Sequence, residues 1–230
     1  MTSNIVLSNR EFSVVGKRPV RHDGYDKVTG KARYGADINF PGLLHGKMLR
    51  SPHAHARIIS VDTSKAEAHP DVRAVVTYQD LPSEGDESIA STDGRNNILA
   101  SDRVLYKGHP IAAVAALGLH EAEYALSLIE VEYEVRPAVT DIESATASGA
   151  PVLHEQFDDN VDGHNQLELG DIERGLEAAD VVVEREFHTS MVHQGYIEPH
   201  TSTGLWNPDG RVTIWTSTQG SFPIRTSTAT

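Results

Sequence analysis

The stretch HPIAAVAALGLHEAEYALSLIEVEYEV, His109 to Val135, carries the best pattern in the chain. Ile111 to Leu117 is an unbroken apolar run, as in a strand buried on both faces. Ala122, Ala125, Leu126 and Ile129 recur at helical spacing, which predicts a helix over Glu121–Ile129 with one apolar face. Val131, Tyr133 and Val135 then alternate with Glu132 and Glu134, the signature of a half-exposed strand. Strand, helix and strand in so short a span define a compact α/β unit.

Working outward toward the amino terminus, a short strand is expected at Val104–Tyr106, with Lys107-Gly108-His109-Pro110 as a turn. Pro82 to Ala100 gathers Gly, Asp, Asn and Ser and reads as an exposed loop. Val72–Tyr78 reads as a buried strand, Ser64–His69 as at most a short helix ending before Pro70. Leu44–Arg50 and Ala56–Val61 read as strands, Phe40-Pro41-Gly42 as a turn, and Ala32–Gly35 as the vicinity of a further short strand. Residues 1–20 form a polar arm.

Toward the carboxyl terminus, Thr140–Gln166 is polar and reads as a linker, after which Asp171 is a candidate N-cap for a helix carrying Ile172 and Leu176. Val181, Val183, Arg185 and Phe187 suggest one strand, and Val212, Ile214 and Trp215 another, following the turn Asn207-Pro208-Asp209-Gly210. Pro presets φ and Gly accepts φ > 0, so the turn has a physical basis. The second strand runs into Ser217-Thr218-Gln219-Gly220, with Pro223 where a helix would begin. Strand, tight turn and helix start is a common arrangement for holding a ligand. The helix expected at Ile224–Thr230 is short and rich in Thr and Ser, as though the chain stops within an element.

The formal net charge of −13 argues against a nucleic-acid or anionic-membrane surface, both of which need a Lys/Arg excess. With no cysteine, the chain itself holds no disulfide, thiolate zinc or Fe–S cluster. No apolar run approaches the about 18–20 residues of a membrane span, and Met1–Val20 lacks the apolar segment of an export signal. A cytoplasmic location is expected.

Several motifs recur together in order. They are Gly30-Lys31-Ala32-Arg33-Tyr34, Leu49–Ile58, Val104–Ala112, the helix around Glu121-Ala122, and Val131-Glu132-Tyr133. This series resembles the amino-terminal hammerhead α/β domain of the molybdenum hydroxylases, which include xanthine dehydrogenase, aldehyde oxidoreductase and aerobic carbon monoxide dehydrogenase. Gly170-Asp171 through Arg185, Gln194–His200 and Thr216–Gly220 resemble the start of that family's first molybdopterin-binding domain. The implied fold is α+β. Its divisions would be an arm at 1–20, a hammerhead domain at 21–140, a linker at 141–168 and an incomplete molybdopterin-binding domain at 169–230.

The resemblance implies that Gln219, with Gly220 beside it, faces the cofactor. In the family this glutamine's amide hydrogen-bonds an oxygen ligand of the molybdenum, a donor's task that adds no charge. The family's catalytic glutamate and glycine-rich segment have no counterpart here, so no catalytic residue and no metal ligand are assigned to this chain. The implied activity is oxidation of a small organic substrate or carbon monoxide with water-derived oxygen. It would require a second molybdopterin-binding chain, together with 2Fe-2S and FAD subunits. A non-catalytic structural subunit or truncated remnant that binds partners but no cofactor is the alternative.

Other residues invite chemistry and have plainer readings. His53 and His55 would share a face of a strand as a metal pair, but no third ligand accompanies them. His193 and His200 read as a buried hydrogen-bonded pair, and Glu198 as part of a structural turn. Glu130, Glu132 and Glu134 read as a solvated strand face rather than an acid–base pair.

Overall fold

The computed structural model describes residues 12–82, 92–154 and 157–229. They divide into two compact units, one of Phe40–Val192 with Ser221–Thr230, the other of residues through Asn39 with His193–Gly220.

In the first unit, β1 (His45–Arg50), β2 (Ala56–Asp62), β3 (Val72–Thr77), β4 (Arg103–Val104), β5 (Pro110–Ala116) and β6 (Glu130–Val135) form two three-stranded antiparallel sheets, ordered β1-β5-β3 and β4-β2-β6. Central β5 is the unbroken apolar run, and its pleat serves two clusters. Ala112, Val114 and Ala116 pack with Ala66 of the short helix α2 (Ser64–Glu67), Val72, Ala122, Ala125 and Ile129, whereas Ile111 joins Ala56, Ile58, Ala100 and Val104. Full burial of side chains such as Ile111 and Val114 stabilises by about 1.5–3 kcal/mol each. The helix α4 (Leu119–Ser127), which starts and ends two residues earlier than its pattern indicates, buries Ala122 and Ala125. Small residues on that face let the helix sit close to β1 and β5. Because β5 and β6 belong to different sheets, α4 carries the chain from one sheet to the other.

Several local expectations for this unit change. The Pro82–Ala100 loop contains a helix, α3 (Thr92–Ile98), and Leu99 and Ala100 behind it are buried at 2% and 3% exposure; residues 83–91 lie outside the described residues. A tertiary contact overrides the poor helix propensity of Gly94, Asn96 and Asn97: fully buried His109 bonds the Asn96 carbonyl through Nε2 at 2.6 Å. Its Nδ1 accepts the Leu105 N–H at 3.3 Å, so the neutral ring carries its proton on Nε2. Burial pushes the His109 pKa down, and the ring stacks on Tyr106 at 4.5 Å. Strand β3 is only partly buried, Val72 being its one enclosed residue, because it is an edge strand. His53 and His55 lie in the loop between β1 and β2, between the two expected strands.

The same unit includes two short helices, α5 (Ile142–Thr146), within the stretch read as linker, and α6 (Ile172–Glu177). They are capped by Asp141 and Asp171, whose carboxylates accept from Ser144 N–H and Arg174 N–H at 2.7 and 2.9 Å. Val181–Phe187 is not a strand: no described segment pairs with it, and Val181, Val183 and Phe187 are 78%, 71% and 84% exposed. Strand propensity needs a hydrogen-bonded neighbour to become a strand.

In the second unit, α1 (Gly24–Val28) leads to an extended stretch and a 3-10 turn at Gly35–Asp37 where a strand near Ala32–Gly35 was expected. The Asp37 carboxylate captures the Tyr34 N–H at 2.9 Å, which favours the turn over a ladder. A hairpin of β7 (Ser202–Trp206) and β8 (Val212–Thr216) closes through the Pro-Asp-Gly turn, with Gly210 at φ +82°. Gly210 N–H bonds the Asn207 carbonyl at 3.0 Å, and Asn207 N–H the Arg211 carbonyl at 2.8 Å. Among the described residues, every buried one lies between Ser51 and Ile129.

Candidate functional site

The hairpin's open end is where β8 hands over to Ser217–Gly220. Ser202 and Thr216 face each other in register and join hydroxyls at 2.8 Å. Beyond Thr216, two contacts hold the backbone. Ser217 Oγ donates to Glu198 Oε1 at 2.5 Å, and Gly220 N–H donates to Thr218 Oγ1 at 3.2 Å. The same Glu198 oxygen accepts the Gly35 N–H at 3.2 Å, from a residue 163 positions away. An added Cβ at Gly35 would stand 2.6 Å from the buried Thr201 Oγ1, which has no hydrogen-bond partner among the described residues, so a larger residue would force that hydroxyl to shift.

Gln219 projects from this turn with an exposed side chain that makes no hydrogen bond to a described residue, and Gly220 is half-buried. A primary amide so placed offers two donors and one acceptor to an incoming group. Helix α7 (Ser221–Ala229) follows directly, starting earlier than its Ile224–Thr230 pattern indicates. Pro223 fits because a first-turn residue needs no N–H.

His193 and His200 are exposed rather than buried, and they do not bond each other. Their rings lie 4.7 and 4.4 Å from that of Tyr196, which separates them. Gly195, at φ +69°, turns the chain there and donates to His193 Nδ1 at 3.0 Å.

In the first unit, His55 Nδ1 bonds the Pro137 carbonyl at 2.6 Å, and His53 packs edge-on against Tyr133 at 4.9 Å. No group of three His, Cys, Asp or Glu side chains among the described residues is placed to hold a metal ion. Glu130, Glu132 and Glu134 line an exposed face of β6, and Glu134 lies 3.8 Å from both Arg57 and Arg136. A cavity of about 750 Å³ is lined by Asn97, Asp141, Leu153, His154, Phe157 and Asn160, among others. Two of its polar groups are engaged. Asp141 caps α5, and Asn160 bonds Leu153 N–H at 3.0 Å and the Ala145 and Pro151 carbonyls at 3.0 and 3.1 Å.

Sequence reading placed Gln219 and Gly220 at the turn but missed that Glu198 ties the turn to Gly35. The Glu198-Pro199 dipeptide signals extended backbone, yet no local pattern reports so distant a partner.

Two domain families account for most of the chain. Residues 29–137 match the aldehyde oxidase and xanthine dehydrogenase a/b hammerhead domain, and residues 153–230 match the molybdopterin cofactor-binding domain. The chain belongs to the molybdenum hydroxylase family and corresponds to the amino-terminal part of its large subunit. It is similar to a probable xanthine dehydrogenase subunit of Bacillus subtilis, 40% identical over 206 residues, 90% of this chain and 27% of that one. The nicotinate dehydrogenase large molybdopterin subunit of Eubacterium barkeri is 34% identical over 210 residues, 91% of this chain and 48% of that subunit. The crystal structure of quinoline 2-oxidoreductase from Pseudomonas putida 86 superposes with a TM-score of 0.81 at 30% identity, covering 93% of this chain and 28% of that one. The chain thus spans between about a quarter and a half of these proteins. No helix among the described residues is long and apolar enough to cross a membrane.

Proposed function

We propose that this chain is part of a molybdenum-cofactor hydroxylase or dehydrogenase that oxidises a small organic substrate or carbon monoxide with water-derived oxygen. In this reading it is inactive alone. A second molybdopterin-binding chain supplies the catalytic glutamate and the rest of the cofactor site, and 2Fe-2S and FAD subunits carry electrons away in the cytoplasm. The domain division set out from the sequence, with a linker at 141–168, belongs to the same proposal. The observation that carries it is the exposed amide of Gln219, which bonds no described residue, at a strand-to-helix turn inside the stretch that matches a molybdopterin cofactor-binding domain. The Eubacterium relative supports a divided cofactor domain. It is named a large molybdopterin subunit, and the matched stretch is nearly half of it.

The residues present fit the cofactor. Gln219 is neutral and bonds no described residue, and Glu198, the half-buried carboxylate held by the same turn, is occupied by Gly35 and Ser217. When bound, the molybdenum cofactor supplies the oxygen-transfer and electron-accepting chemistry. Gln219 would donate its amide N–H to an oxygen of the bound group and fix its orientation. Gly220, lacking a side chain, would let the backbone approach closely.

The test is purification of the tagged chain from its native host, with intact masses, molybdenum and flavin measured on the complex. Stoichiometric molybdenum with a second molybdopterin-binding chain is expected, and Gln219→Ala should lower kcat by about 10–100-fold, as for other groups that orient a metal's ligands. A chain recovered without metal or partner would contradict the proposal and favour the structural-subunit alternative.

A further inference from the structure

We propose that Glu198 is a positioning residue for the cofactor-facing turn, holding Ser217–Gly220 so that Gln219 is presented in one orientation; this rests on the reading of Gln219 given above. Glu198 Oε1 accepts two hydrogen bonds from segments far apart in the chain, Gly35 N–H at 3.2 Å and Ser217 Oγ at 2.5 Å. Ser217 lies two residues before Gln219. The hairpin ladder ends at the Ser202–Thr216 pair, so it fixes nothing beyond Thr216. Past that point the turn has its internal Thr218–Gly220 contact and the tether to Glu198.

The tether has features of a built support. The acceptor is a carboxylate, half-buried, and its bond to a hydroxyl is of the short, charge-assisted kind. Pro199 disfavours a helical backbone at Glu198, which reduces the backbone share of the freedom lost when the carboxylate engages. Gly35 donates its N–H to that oxygen from a spot where an added Cβ would meet Thr201 Oγ1 at 2.6 Å. Three residue choices, Gly35, Glu198 and Ser217, therefore converge on one oxygen atom behind the turn. None of them needs to touch the cofactor, and their effect passes through Gln219.

The test uses the complete subunit assembled with its native partners. Glu198→Ala, Glu198→Gln and Ser217→Ala are compared by hydrogen exchange over 217–220 and over 202–216, and by molybdenum content. Glu198→Ala should speed exchange in the turn by about tenfold or more, the loss expected for a charge-assisted bond, and should lower molybdenum content while the hairpin keeps its protection. Glu198→Gln should restore both, because an amide oxygen still accepts from Gly35 and Ser217. If Glu198→Ala does not assemble, Ser217→Ala, which removes one bond only, should still loosen the turn. Unchanged exchange in both Glu198→Ala and Ser217→Ala would overturn the proposal, as would a Glu198→Gln that behaves like Glu198→Ala. Absence of molybdenum from the wild-type complex would instead defeat the cofactor reading, leaving turn exchange to decide the positioning role.

Discussion

The two sheets between His45 and Val135 and the hairpin between Ser202 and Thr216 are both antiparallel, but only the sheets enclose a core. Strand β5 has partners on both edges and helices over one face, and Ile111, Ala112, Val114 and Ala116 are at most 1% exposed. The hairpin has one partner per strand, and Trp206, Val212 and Ile214 stay 73%, 48% and 40% exposed. Both regions use β-rich sequence. The difference is whether covering elements come from the same stretch of chain, and that separates a region with its own core from one whose large apolar side chains stay exposed.

The largest expected contrast lies between two apolar truncations. Ile111→Ala should cost about 2–5 kcal/mol through lost burial and a cavity, whereas Val183→Ala, at a site 71% exposed, should stay within about 0.5 kcal/mol. Denaturant titration of the isolated chain checks both. Equal effects would mean that Val183 is enclosed in solution.

Gly35→Ala should cost about 1–3 kcal/mol by overpacking, seen as faster exchange at 193–220 with the sheets unaffected. A neutral Gly35→Ala would show that Thr201 yields without cost.

His109 sharpens the comparison from the sheet side. Its folded-state pKa is depressed, so the unfolded chain binds the extra proton. Stability is complete above the unfolded value of about 6.5 and is lost as pH falls through the folded value. Thermal melts from pH 8 to pH 5 should show the sheets weakening below that value. A pH-independent midpoint would mean that the ring titrates freely in the folded state.

The sheet region was legible because its residues state their surroundings locally. The run Ile111–Leu117 needs burial on two faces, which β5 supplies as far as Ala116, and Val131 and Tyr133 are half-buried between exposed glutamates, whereas Val135 and Leu117 are exposed. Asp171 and the Pro-Asp-Gly turn were legible for the same reason, since a cap and a turn are decided within a few residues. Helix α3 was not, because its Gly and Asn residues favour a loop and what holds it is buried His109, well over a helix length away. The segment Val181–Phe187 read as a strand, yet the described residues hold no edge for it to pair with. At the candidate site, Gln219 followed from family resemblance, whereas Glu198's grip on Gly35 is a long-range contact with no sequence period behind it.

Hydrogen exchange on the chain alone and within its purified native complex tests the central contrast most directly. Alone, amides of β1 to β6 should be protected and those from Val181 to Gly220 should exchange rapidly, consistent with their exposure; in the complex the second group should gain protection while the first stays unchanged. Uniform protection of the isolated chain, or no gain on assembly, would contradict the account.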